Sequence, residues 1–135
     1  MTVKVKVHFA NAAQVKRMFR ALGPKAVQAT ARGMYRGGEE IMTESKQHYV
    51  PVDHGTLKGS GTVGMPQMKG TNVTVELGYG GDASDYAAVQ HENLKYRHKV
   101  GQAKYLEIPA VRKAPAIAGL VTDELLKLFK RMKAR

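Results

Sequence analysis

Cysteine is missing from all 135 residues, so the chain can close no disulfide and offers no thiolate to a metal ion. Long apolar runs are missing as well, since nothing approaches the roughly 20 apolar residues of a membrane span. The opening stretch, MTVKVKVHFA, alternates lysine with valine in place of the continuous apolar segment of a secretory signal. The expectation is a soluble protein made and kept in a cytoplasm, with no membrane partner. Acidic side chains are scarce: 11 Asp and Glu stand against 22 Lys and Arg, for a formal charge of +11. The length suits one domain, residues 1–135, with enough chain for a core that needs no covalent staple.

The excess charge is unevenly placed. Residues 1–50 carry 9 basic and 3 acidic side chains, and residues 95–135 carry 11 and 3. Residues 51–94 reverse the balance with 2 and 5. A basic surface draws phosphate backbones and other anionic surfaces through its long-range field. Lysines and arginines also simply solvate helix faces. A third reading is that acidic middles and basic ends let copies of one protein attract each other.

What is present is clear periodicity. Residues 2–9 alternate, with Val3, Val5, Val7 and Phe9 on one side, which predicts a half-buried strand. Asn11 can cap a short helix, AAQVKRMFRAL, that stops at Gly23-Pro24. From Pro24 to about Tyr49, a stripe of Val27, Ala31, Met34, Gly38, Ile41, Ser45 and His48 predicts one long helix. Gly33, Gly37 and Gly38 each cost that helix about 1 kcal/mol against alanine. They imply either a kink or a surface where another backbone comes very near. The helix must end before Pro51, which pushes Val50 out of the α region.

Residues 60–67 and 71–79 then read as two strands about a Lys-Gly turn, with Val73, Val75, Leu77 and Tyr79 alternating inward. YAAVQHEN suits a further strand or extended edge. Residues 93–104 form a basic stretch of little periodicity, a length of loop that usually carries function or motion. YLEIPAV leads to a final helix that Pro115 either begins or kinks, striped by Ile117, Leu120, Val121, Leu125, Leu128 and Met132. Lys127, Lys130, Arg131 and Lys133 complement the dipole in its last turns. The order implies an α+β fold: a small, mainly antiparallel sheet packed against a long helix and a C-terminal helix.

Chemistry-bearing patterns are few. The histidines, at 8, 48, 54, 91 and 98, lack the helical spacing of a zinc protease. His54 beside Asp53 and His91 beside Glu92 are candidate ligands or base–partner pairs. Neighbours on extended chain point to opposite faces, so neither pair is preformed. Gly78-Tyr79-Gly80-Gly81 follows a strand as phosphate loops do, but lacks their Lys-Ser/Thr and suits a turn. Ser45, Ser60 and Ser84 have no nucleophile-elbow context. An enzyme is the least supported class, and no metal or cofactor is expected. The scattered aromatics form no stacking platform for single-stranded nucleic acid. The loop with Lys95, Tyr96, Arg97, His98 and Lys99 is the best local candidate for DNA or for an interface, against its plain reading as a solvated basic loop.

VPVDHGTLKGSG, at the end of the long helix, is the most informative stretch. Pro51 ends the helix, Asp53 can close an Asx-turn, Gly55 can take a positive φ, and Leu57 can return to the core. The stretch resembles a turn of small tailed-bacteriophage minor capsid or neck proteins of the tail-completion type, usually worded Pro-Val-Asp-Thr-Gly-x-Leu-Arg-x-Ser. Pro51, Val52, Asp53, Gly55, Leu57 and Ser60 match, and Lys58 keeps the basic position. His54 departs from the usual Thr or Ser, which takes a hydroxyl out of that turn. YAAVQHE (Tyr86–Glu92) and GQAKYLEIPA (Gly101–Ala110) are similar to two later landmarks of that family, so the likeness spans residues 12–132.

The resemblance implies a virion structural protein at the head–tail joint, built into the phage neck after assembly in the host cytoplasm. It implies a ring of copies, by analogy six, although no residue here carries that number. Other neck and tail proteins would be its partners, and packaged DNA could pass its basic surfaces. The turn residues themselves read as a fold-determining corner. The alternative reading is a basic nucleic-acid-binding protein.

Overall fold

In a computed structural model of the chain, residues 3–9, 17, 20–51, 56–70, 72–80 and 104–133 are described. Strand β1 (Val3–Phe9) is followed by helix α1 (Lys25–Glu44), which runs on into a π-helical turn, Ser45–Tyr49. A single helical turn, α2 (Thr56–Gly59), precedes three strands, β2 (Thr62–Val63), β3 (Gln67–Lys69) and β4 (Asn72–Tyr79). Helix α3 (Glu107–Lys133) closes the described chain. These elements form the expected α+β arrangement, with an antiparallel sheet against the two long helices.

Strand β4 is the centre of the sheet. Along one side it pairs with the whole of β1, from Val3 opposite Tyr79 to Phe9 opposite Val73. Along the other it pairs with β2 and then β3. Its alternation works as the sequence demands: Val73, Val75, Leu77 and Tyr79 are buried, and Thr74, Glu76 and Gly78 are half-buried. Lys4 and Lys6 of β1 flank Glu76 on the polar face at 3.3 and 3.8 Å. Gly70 turns the chain between β3 and β4 with a left-handed φ of 61°, which glycine adopts without strain.

The strand expected over residues 60–67 is divided. Val63 lies opposite Leu77 and Gln67 opposite Thr74, so four steps on one strand face three on the other. One extra residue in the Gly64-Met65-Pro66 segment makes this a bulge. Pro66 has no N–H to offer a ladder, and Gly64 makes the last bond before the break, donating to the Glu76 carbonyl at 2.7 Å.

Helix α1 lies between the sheet and α3 and touches both. That position explains its run of small residues. A β-carbon on Gly33 would come within 2.6 Å of the Val121 backbone, and one on Gly37 within 2.7 Å of the Ile117 side chain, both on α3. A β-carbon on Gly38 would instead meet Val63 and Val75 of the sheet. The glycines therefore mark close approach, on two sides of one helix. Most of the expected stripe is buried, but Val27 is only partly so and His48 is exposed. The π-turn adds a residue to the last turn and rotates His48 off the buried line.

The last helix starts earlier than Pro115, which falls inside it. Pro115 removes the N–H that would bond the Val111 carbonyl, and Val111 is exposed, where water can take its place. Ile117, Val121, Leu125 and Leu128 are buried as expected, whereas Leu120 is half-buried and Met132 is exposed. Residues 17 and 20–22 of the short helix expected over residues 12–22 are helical. The remainder of that helix and the further strand expected at YAAVQHEN lie outside the described residues.

Candidate functional site

The helix–sheet corner is built from its last helical turn outward. Val50 donates its N–H to the Ser45 carbonyl at 2.8 Å, closing the π-turn, and leaves the helix with ψ 136° just ahead of Pro51. Both Val50 and Pro51 are buried. After α2, the Ser60 hydroxyl donates to the Leu57 carbonyl at 2.7 Å and accepts the Gly80 N–H at 3.1 Å. Leu57 is buried in the core. Ser60 thus ties the corner to the end of β4, a role that requires a small hydroxyl there.

Three of the six turn-motif residues, Pro51, Leu57 and Ser60, are placed by the structure as a framework. Val52, Asp53 and Gly55, and with them the Asx-turn and the positive φ, lie outside the described residues. So does the candidate loop of Lys95, Tyr96, Arg97, His98 and Lys99.

Sequence reasoning missed the polar knot inside this corner. The Ser45 hydroxyl donates to the Tyr105 carbonyl at 2.6 Å and lies 2.7 Å from the Tyr79 hydroxyl. A serine has one proton, so Tyr79 donates to Ser45. The Tyr79 and Tyr105 rings meet edge-to-face, with centroids 5.0 Å apart. All three residues are buried. Burial pushes the Tyr79 phenol up to about 12. The end of the long helix, the end of β4 and the approach to α3 therefore meet at one serine. The signal was a serine on an otherwise apolar helical stripe.

A second missed feature joins α1 to α3. Glu124, buried on α3, accepts from Arg32 at 3.3 Å and Arg36 at 3.1 Å, with Lys127 at 3.6 Å. Burial alone would raise its carboxyl, but the hydrogen bonds and charge of Arg32, Lys127 and Arg36 outweigh it and hold the group below the usual carboxylate range. Arg112 of α3 reaches the Tyr49 hydroxyl and Glu44.

Among the described residues, two grooves open on the surface. A groove of about 420 Å³ is lined by Ala21, Leu22, Leu125, Leu126, Phe129 and Met132, with Lys133 at its edge. A smaller groove of about 200 Å³ is bounded by Lys25, Gln28, Arg32 and Arg131 with Leu128 and Met132. Among the described residues, no group of three or more His, Cys, Asp or Glu could hold a metal ion. Nor is any described helix long and apolar enough to cross a membrane.

No family model, curated protein or solved structure matches the chain.

Proposed function

We propose that this chain is a virion structural protein of a phage neck, joining or completing the tail at the head–tail interface by assembling into a ring. The observation that supports it most is the convergence of the landmark residues. Pro51, Leu57 and Ser60 of the corner, and Tyr105, Leu106, Pro109 and Ala110 before and within α3, are framework positions; all but Ser60 are buried. The resemblance thus rests on residues that set the shape of the domain. A shape-setting framework with apolar patches left on its surface suits a building block. Heterologous contacts, in which one surface meets a different one on the next copy, close such blocks into rings.

The groove flanked by Lys25, Arg32 and Arg131 favours a second reading, a basic nucleic-acid-binding protein. Two measurements separate them. The neck reading expects concentration-dependent sedimentation, or co-purification with tail components, and weak DNA binding. The second expects a tight complex with DNA whose affinity falls steeply with salt as counterions are released. Tight, salt-sensitive binding by a chain that never self-associates would overturn the neck reading.

A further inference from the structure

The smaller groove, of about 200 Å³, is lined by three cations, Lys25 and Arg32 of α1 and Arg131 of α3, with Gln28, Leu128 and Met132. No carboxylate lines it. Among the described residues, the side chains of Lys25, Gln28 and Arg131 make no hydrogen bond or ion pair. Arg32 is bound there only through its Nε, to Glu124 Oε2 at 3.3 Å. That bond orients the guanidinium and leaves its two terminal nitrogens to donate elsewhere.

Basic side chains in a last turn complement the dipole of their own helix. That accounts for Lys130 and Lys133 of α3, neither of which lines this groove. It gives Arg131 no reason to share a concave site with Lys25 and Arg32, whose like charges repel it. The start of α1 adds to the imbalance, for its first turn holds no acidic residue and Pro24 supplies no side-chain cap. The positive end of that helix dipole therefore stands unopposed beside the three cations.

The lining fits a tetrahedral oxyanion. Guanidinium groups present paired N–H donors that match phosphate oxygens, an ammonium adds a point charge, and a glutamine amide adds neutral donors. Leu128 and Met132 form an apolar wall, and charge of one sign beside such a wall concentrates the field in a cleft. A water molecule takes about 30 Å³ of the liquid, so the groove has room for a phosphate group with part of its hydration shell. No aromatic side chain lines it, so a nucleobase would find no ring on which to stack.

We infer that this groove holds a phosphate group of a DNA backbone, gripped between the start of α1 and the last turns of α3. Arg131 and Arg32 donate to its oxygens, Lys25 supplies charge, and Gln28 donates through its amide. Such a contact fixes position on the duplex and reads no sequence. The inference rests on DNA as a partner, the second reading above, and gives that reading its point of contact.

The test follows a fluorescent random-sequence duplex by anisotropy as salt is raised. Lys25→Ala/Arg131→Ala is compared with Lys69→Ala/Lys113→Ala, which removes equal charge from β3 and from α3 about five turns before Arg131. Circular dichroism checks that each variant keeps the parental fold. The groove variant should bind about tenfold more weakly, with a plot of log K against log salt shallower by about 1. The charge-matched variant should stay close to the parent. Equal losses in the two would mean that net charge alone draws DNA, overturning the inference and leaving the second reading standing. As an independent measure, Gln28→Glu places a carboxylate in the groove and should weaken the complex; unchanged affinity there would also overturn the inference. Inorganic phosphate, titrated at constant ionic strength, separates a free anion from the backbone. Phosphate held by a chain that does not bind the duplex would overturn the backbone as ligand. A parent chain that binds neither, even at low salt, would remove the inference and the second reading together, while ring assembly is read separately by sedimentation.

Discussion

Gly33 of α1 and Val121 of α3 meet backbone to backbone: a β-carbon on Gly33 would stand 2.6 Å from the Val121 Cα. The helices bury their shared face only because that β-carbon is absent. Gly33→Ala should therefore lower stability by about 1–3 kcal/mol, since strain in the packed interface outweighs the better helix propensity. Gly119, on the same pair of helices but with nothing within 4 Å, is the control. Gly119→Ala should raise stability by about 0.5–1 kcal/mol. Urea denaturation of the two variants reads both signs, and a stabilised Gly33→Ala would refute the close approach.

On the other side of α1, Gly38 faces Val63 and Val75, whose side chains would lie 2.9 and 3.2 Å from an added β-carbon. Gly38→Leu should force the helix off the sheet, lowering the melting temperature and impairing assembly. Unchanged melting together with unchanged assembly would show that this packing is not needed.

At the buried knot, Ser45→Ala leaves the Tyr79 hydroxyl and the Tyr105 carbonyl without their shared partner. The expected loss is about 1–3 kcal/mol. Tyr79→Phe added to Ser45→Ala should cost less than the sum of the separate losses, because both remove the same bond. A double-mutant cycle in urea measures the coupling; strict additivity would contradict the geometry.

The same tyrosine gives an alkaline signature. Its pKa in the fold is raised to about 12 from an ordinary value near 10. The raised value means that the folded state favours the neutral phenol. Its contribution is whole below about pH 10 and is lost as pH rises toward 12. Stability should fall across that window by an amount that Tyr79→Phe abolishes. An identical pH slope in the variant would count against a buried phenol.

Glu124 supplies the acid counterpart. Its carboxyl is held below the usual range, so its stabilisation is present above the unfolded value and is lost as pH falls through the folded one. Arg32 and Arg36 are partly exposed, which screens the pairs. Glu124→Gln should thus cost only about 1 kcal/mol at neutral pH, and should flatten the acid limb of the stability profile. A variant as acid-sensitive as the parent would place the carboxylate elsewhere in the balance.

Much of this fold was legible because local periodicity and global packing agree in it. The alternation of Val73 through Tyr79 fixed β4, and Pro51 fixed the end of the long helix, since each acts on the backbone near it. The division of β2 from β3 was less legible: a bulge depends on register with a partner strand, although Gly64 and Pro66 mark its place. Pro115 leaves the start of α3 open between two readings, and it lies inside the helix because exposure of Val111 lets water satisfy what the ring removes. The stretch around Pro51 was readable as a corner, and three of its residues stand as its framework. The Ser45 knot was not readable, because its partners are 34 and 60 residues away. The exposure of Phe129 was equally hidden, since an apolar stripe does not say how much of it a neighbour covers.

The central claim is that this domain is a passive element of the head–tail joint. Electron micrographs of particles made by a phage deleted for the corresponding gene address it most directly. The account predicts heads and finished tails lying apart, with joining restored when the protein is supplied. Intact head–tail particles in its absence would contradict it.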